Sequence, residues 1–185
     1  MPAVNSLELF RRFDTAELSL CLKFNRWSRQ NSVRRFFAAI SRLGDGVLWY
    51  ALILSLPFLY GIWGGRLCLQ FSLTGLIGVA LYKSIKQRWV RERPFISHLG
   101  ISAGVAPLDR YSFPSGHTLH AVCFASLFAF YVPGMGGLVI TFAMLVALSR
   151  VVLGMHYPTD VVAGAMLGGT LAWLSINLSG LYLPL

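Results

Sequence analysis

Four stretches of this 185-residue chain, 46–65, 67–82, 111–149 and 161–185, contain no Lys, Arg, Asp or Glu. Uncharged apolar runs of this length belong in a bilayer, where a run near twenty residues crosses the hydrocarbon core as a helix. The third run is long enough for two crossings. About five spans follow, near 46–64, 67–85, 117–132, 135–153 and 160–182, so the expected fold is an all-α polytopic transmembrane helix bundle. Residues 44–185 form its single domain. A chain that is 56% apolar and only 12% charged fits that class.

Residues 1–43 have a different character. Leu9, Phe10, Phe13, Leu18, Leu20, Leu22, Phe24 and Trp27 interleave with Arg11, Arg12, Lys23, Arg26 and Arg29, then Phe36, Phe37 and Ile40 with Arg34, Arg35 and Arg42. That segment is too charged to span, and short amphipathic helices lying in the headgroup region fit it. A helical pair packed on the bundle from the aqueous side is the competing reading. The first 20 residues lack the continuous apolar core of a cleavable signal peptide. Lys and Arg number 16 against 7 Asp and Glu, an excess that in a membrane chain meets anionic headgroups or orients the spans and argues against nucleic acid as a partner. Cys21, Cys68 and Cys123 are isolated and read as small buried residues, without metal-site spacing or a disulfide framework.

Where charge is scarce, ionisable residues at the end of an apolar segment need a reason. Ser149 to Asp160, SRVVLGMHYPTD, is the densest such place. Pro158 predicts that a helix containing Arg150 ends near His156 and that another starts at Pro158 or Thr159. Asp160, in the first turn of the second helix, can then accept a hydrogen bond from one nitrogen of His156 and leave the other free to attack. Arg150 can neutralise an anion held in front of it. A helix hairpin whose turn residues simply bond one another is the alternative.

Two further clusters suit the same chemistry. In KQRWVRERP, Lys86 and Arg93 are seven apart, so on a helix that continues to Pro94 they point the same way and suit a phosphate; basic residues meeting lipid headgroups are the competing explanation. In FPSGH, Ser115 and Gly116 open an apolar helix whose backbone NH groups form an anion site, and His117 is placed to give a proton to a departing oxygen. An ordinary turn and cap is the simpler reading of Pro114-Ser115-Gly116. Antiparallel crossings put all three clusters on one side of the membrane. His120 is expected to hydrogen-bond inside the bundle, His98 and Asp109 lie in the long 86–115 connection without an evident partner, and Trp49, Trp63 and Trp89 read as interfacial anchors.

Taken together, the clusters resemble the signature of the type 2 phosphatidic acid phosphatase family, K-x6-RP, PSGH and SR-x5-H-x3-D, with every internal spacing matched. The resemblance covers roughly residues 44–182. Many members have six spans, and this chain lacks the first. The resemblance implies that His156 is a nucleophile forming a phosphohistidine, that Asp160 orients it, and that His117 is first the general acid and then the base that activates water. It implies that Lys86, Arg93, Ser115, Gly116 and Arg150 hold the phosphoryl oxygens. This chemistry needs no metal or other cofactor, and the sequence shows no carboxylate cluster for one. Vanadate-dependent haloperoxidases of the same superfamily resemble the chain only in the anion pocket.

The implied substrate is a lipid phosphate whose tail stays in the bilayer. Undecaprenyl pyrophosphate is preferred because the compact size is similar to bacterial polyprenyl-pyrophosphate phosphatases; phosphatidic acid and phosphatidylglycerophosphate are the alternatives. A non-enzymatic lipid transporter or assembly subunit is the rival class, against which an intact His156, His117 and Asp160 argue. A bacterial inner membrane is the expected location. Sidedness stays open: the basic N-terminal segment shares the active-site side and favours the cytoplasm by positive-inside counting, whereas similar phosphatases face the periplasm.

Overall fold

Glycines decide where the chain reverses. The computed structural model describes residues 6–107 and 109–180, with the side chains of residues 6–14 outside that description, so the expected placements of Leu9, Phe10, Arg11, Arg12 and Phe13 fall outside it. Helix α1 (Ser6–Trp27) leads through a short turn to α2 (Asn31–Arg42), and a π-helical turn, Leu43–Val47, joins α2 to α3 (Leu48–Arg88). The break expected at Gly44-Asp45-Gly46 is this turn, in which Gly46 has φ 127°. A side chain there would be strained.

Helix α3 is two arms of a hairpin. Gly61, at φ 58° and ψ −134°, leaves the helical region, and the arms fold back so closely that a Cβ on Gly64 would lie 2.0 Å from the carbonyl oxygen of Leu56. The reversal expected at Gly64-Gly65-Arg66 therefore sits at Gly61, and Gly64 is the contact point between the arms. After α3 come a one-turn α4 (Pro94–Ser97), α5 (Gly116–Tyr131), a 3-10 turn at Pro133–Met135, α6 (Gly136–Val152) and α7 (Pro158–Ser179). Among the described residues the only strand-like pairing is a single bridge between Glu92 and Tyr111. The all-α expectation holds.

Among the described residues three helical stretches, Asn31–Arg88, Pro133–Val152 and Pro158–Ser179, are long and apolar enough to cross a membrane. The first contains the hairpin and so supplies two crossings. The fifth apolar segment, α5, has 16 residues and runs through the centre, where Leu119, Ala121, Cys123, Leu127 and Phe128 are almost wholly buried. Around it, Phe58, Ile62, Leu76, Leu138, Met166 and Leu178 are exposed. An apolar girdle of this kind is a liability in water and the proper surface against lipid.

A polar seam ties the bundle together inside that girdle. Gln70 Nε2 donates to the Tyr131 hydroxyl at 3.1 Å and to Ser175 Oγ at 3.0 Å, and Thr74 Oγ1 meets Ser175 Oγ at 2.8 Å. These bonds join α3, α5 and α7, where an unmatched polar group would be costly. Trp49 is fully buried and packs edge-on against Phe142. It is a core residue and no interfacial anchor, because the α3 arm turns it inward toward α5 and α6. Trp89 is exposed and stacks on Phe113, with ring centroids 5.2 Å apart.

The N-terminal helices pack on one end of the bundle. Asn25 Nδ2 on α1 donates to the carbonyls of Val152 and Ser102, each at 3.0 Å, and Phe37 on α2 packs with Val152, Leu153 and Met155. Helices α5 and α7 approach most closely: a Cβ on Gly168 would lie 2.3 Å from the Leu119 carbonyl oxygen, and one on Gly164 2.5 Å from that of Ser115. Gly168→Val must push α7 off α5, because a backbone atom cannot step aside as a side chain can. We expect it to cost about 1–3 kcal/mol and to lower the melting temperature in detergent by several degrees. Gly169→Ala, one residue on with open space around it, should not lower it.

Candidate active site

Three lengths of chain distant in sequence converge at the end of the bundle where α1 and α2 pack. Lys86, in the last turn of α3, donates to both carboxylate oxygens of Asp109 at 2.8 Å and to the Tyr111 carbonyl at 3.0 Å. Helix α3 stops at Arg88, and residues 89–93 are non-helical. Arg93, at ψ 150°, has the extended backbone imposed on a residue before proline. Lys86 and Arg93 therefore do not share one helix face as the spacing predicted. They still converge, because Arg93 Nη2 reaches Asp109 Oδ1 at 2.7 Å and its Nε reaches the Asp109 carbonyl at 3.0 Å.

His156 sits in the turn between α6 and α7. Helix α6 ends at Val152, four residues short of the expected end, and the amides of Met155 and His156 both donate back to the Arg150 carbonyl, at 2.9 and 3.1 Å. Gly154 makes this return possible. Its φ is 70°, and a Cβ would lie 2.7 Å from Ile101 and 2.9 Å from the Ser102 carbonyl oxygen. Helix α7 starts at Pro158 as expected, with Asp160 in its first turn.

The ring of His156 is fully buried. Arg93 Nη1 lies 3.2 Å from its Nε2. A guanidinium only donates, so Nε2 offers its lone pair and the ring proton belongs on Nδ1. Among the described residues that nitrogen has no hydrogen-bond partner, and Asp160 Oδ2, its expected acceptor, lies 3.5 Å away, longer than a hydrogen bond. Burial, followed by the charges of Arg150, Arg93 and Lys86, holds the His156 imidazolium pKa well below its ordinary value. The ring is neutral, and its Nε2 lone pair is held toward Arg93 Nη1.

Asp160 is completely buried and doubly held: Oδ2 accepts the Tyr157 amide at 2.9 Å, and Oδ1 accepts Arg91 Nη1 at 2.8 Å. His117, in the first turn of α5, pairs through Nε2 with the Asp45 carboxylate from the π-helical turn. Ser115 caps α5: its Oγ accepts the Thr118 amide at 3.4 Å and meets the Thr118 hydroxyl at 3.0 Å. Arg150 is buried, touches the Ser41 hydroxyl through Nη1, and leaves its Nε without a partner.

A cavity of about 410 Å³ opens among these groups. Lys86, Arg93, Asp109, Gly116, His117 and His156 form its polar end, while Trp49, Ile53, Leu54, Leu76 and Val79 extend it as an apolar trough between the arms of α3. Of the residues singled out in the sequence, Lys86, Arg93, Gly116, His117 and His156 line this cavity. Asp160 lies behind His156, Ser115 is turned inward under the α5 terminus, and Arg150 lines a smaller adjoining cavity that it shares with His117 and Asp45. His120 bonds the carbonyls of Gly116 and Gly75, at 2.9 and 3.2 Å, as expected of a structural histidine.

Four site residues were not foreseen as such: Asp109, Asp45, Arg91 and Glu17. Burial raises the Asp109 carboxyl pKa, but its hydrogen bonds and charge interactions with Lys86, and then with Arg93, outweigh that and hold it below its ordinary value of 3.8. Arg91 lies inside the KQRWVRERP cluster, but no local motif marks the three carboxylates. The available signal was scarcity, since four of the seven acidic residues of the chain, Glu17, Asp45, Asp109 and Asp160, gather here.

Known proteins share the sequence and the fold. An undecaprenyl-diphosphatase of Bacillus subtilis, BcrC, is 28% identical over 139 residues, covering 75% of this chain and 72% of that protein. A lipid A 1-phosphatase of Rhizobium johnstonii is 33% identical over 123 residues, 64% of this chain and 48% of that one. Among solved structures, a transmembrane phosphatidylglycerolphosphate phosphatase from Bacillus subtilis superposes with a TM-score of 0.76 at 25% identity, covering 90% of this chain and 85% of the other. LpxE of Aquifex aeolicus gives 0.74 at 25% identity, with 86% and 94% covered. Residues 63–181 match the family model of the PAP2 superfamily, and the chain belongs to that superfamily as an integral membrane phosphatase, a hydrolase of phosphate esters.

Proposed function

We propose that the chain hydrolyses the diphosphate of a polyprenyl lipid, undecaprenyl pyrophosphate being the best fit, through a phosphohistidine on His156. The observation that carries this reading is the two-ended cavity, cationic around His156 and apolar between the arms of α3. A phosphate suits the first end and an isoprenoid tail the second. The name of the Bacillus subtilis relative supports the same substrate.

In this reading Lys86 and Arg93 transfer their hydrogen bonds from Asp109 to phosphoryl oxygens, and the free Nε of Arg150 meets the site from the adjoining cavity. His156 Nε2 attacks the terminal phosphorus. A P–N bond forms as the bond to the bridging oxygen breaks, and the departing lipid phosphate takes the Nε2 proton of His117, which enters this step as an imidazolium paired with Asp45 and leaves it as a neutral ring. Positive charge appearing on the phosphorylated ring is met by Asp160. Water then gives a proton to His117 and attacks phosphorus, the P–N bond breaks, and inorganic phosphate leaves with His156 neutral again. Gly116 lets the α5 amides approach the phosphoryl group. Ser115 serves by fixing that terminus.

The proposal divides the chain at residue 43. Lys23, Arg26, Arg29, Arg34 and Arg35 of α1 and α2 are exposed beside Trp27 and Phe36, a surface suited to anionic headgroups. Residues 44–185 form the phosphatase domain, set in a bacterial inner membrane.

Three outcomes test the reading. His156→Ala should lower phosphate release by about a thousandfold or more while the protein melts as the wild type does, and rapid quenching of the wild type with labelled substrate should trap protein-bound phosphate that is stable to base and labile to acid. Undiminished release refutes the assigned nucleophile. Across purified lipids in detergent, the polyprenyl diphosphate should be preferred to phosphatidic acid and phosphatidylglycerophosphate; a preference for a water-soluble ester overturns the lipid assignment. Finally, the depressed carboxyl of Asp109 stabilises the fold at pH above its unfolded value, and that contribution is lost as pH falls through the lower folded value. Asp109→Asn should therefore destabilise the ligand-free protein near neutral pH, with the gap to wild type closing below about pH 4. A gap that persists in acid would show that the pairing is not the cause.

A further inference from the structure

Helix α1 lies wholly before residue 63, where the family match begins, yet it delivers a carboxylate to the back of the site. Glu17 is 7% exposed, while its neighbours Thr15, Ala16, Ser19 and Leu20 face outward. A buried carboxylate is costly unless every oxygen is answered, and both oxygens of Glu17 are. Oε2 accepts Arg91 Nη2 at 2.6 Å, and Oε1 accepts the Thr159 amide at 2.8 Å and the Thr159 hydroxyl at 2.5 Å.

Arg91 is the link to the reacting atoms. Its Nη1 reaches Asp160 Oδ1 and Thr159 Oγ1, both at 2.8 Å, and its guanidinium lies over the Tyr157 ring, 3.9 Å from the centroid. One arm of the fork is thus on Glu17, the other on Asp160, and the flat face on the residue next to His156. Freed from Glu17, the guanidinium would swing fully onto Asp160, drawing the carboxylate and its charge away from His156 and leaving the Thr159 amide unanswered at the start of α7.

We propose that Glu17 is a positioning residue for the hydrolysis: acting through Arg91, it holds the Asp160 carboxylate where it faces Nδ1 of His156, so that α1 completes the active site as well as packing against the bundle. This rests on the reading of His156 as nucleophile and Asp160 as its orienting group. Glu17 does not line either cavity, so its effect belongs in kcat and passes through Asp160.

The test is a double-mutant cycle on the full-length protein in detergent, with phosphate release from undecaprenyl pyrophosphate as the readout. Glu17→Gln should lower kcat about tenfold or more with KM within about twofold, and should do almost nothing further in an Asp160→Asn background. If Glu17→Gln keeps full kcat while Asp160→Asn is impaired, the inference fails and the site reading stands. If the two losses multiply, Glu17 acts independently of Asp160 and the inference also fails. If Asp160→Asn itself is fully active, the site reading fails. Should Glu17→Gln give no folded protein, Arg91→Lys, which keeps the charge but loses the fork, takes its place in the cycle with the same expected and overturning results.

Discussion

Positive charge held dry at the end of an apolar bundle is the constraint on which the site depends. Lys86, Arg93 and Arg150 are 7%, 2% and 2% exposed, and an ion removed from water costs several kcal/mol unless answered. Asp109 answers the first two. Among the described residues Arg150 hydrogen-bonds the Ser41 hydroxyl, its Nε has no partner, and the Asp45 carboxylate lies across the small cavity that it lines. At its cavity end the site thus sets three cations, Lys86, Arg93 and Arg150, against two nearby carboxylates, Asp109 and Asp45. Its desolvation cost is already met by the fold, so an arriving phosphate gains attraction without first having to strip these cations of water.

The same economy of charge separates what could be read in the sequence from what could not. The five apolar segments and the common end of the three clusters were legible, because uncharged length and antiparallel order leave few alternatives. The reversal within α3 was not. Gly61, Gly64 and Gly65 offer equivalent breaks, and only the packing of Gly64 against the Leu56 carbonyl selects Gly61 for the positive φ. Trp49 was misplaced for a related reason: amphipathic aromatics suit both interfaces and cores, and the turn of the α3 arm decides between them.

Within the site, spacing predicted company but not contact. Lys86 and Arg93 converge although the helix expected to align them ends at Arg88; the shared carboxylate of Asp109 aligns them instead. Ser115 and His117 are two residues apart, yet one turns under the helix terminus and the other faces the cavity. Asp45, Asp109 and Glu17 reach their partners across 72, 23 or 16, and 74 residues. No local pattern encodes such distances. In a chain with so few carboxylates, each one placed in or beside an apolar segment is itself the signal.

The two imidazoles show how the bundle uses its boundary with water. His156 is fully buried, whereas the side chain of His117 is 11% exposed and that of its partner Asp45 is 34% exposed. A nucleophile gains from the dry position: burial, and after it the nearby cations, keep the ring neutral. A group that must first release a proton and then collect one from water gains from the wetter position. In the proposed division of labour, the depth of each ring suits its task, and that depth follows from where each element starts. His117 sits on the first turn of a helix opening at the bundle's end, while His156 lies in a turn that α1, α2 and the 101–104 segment cover from outside.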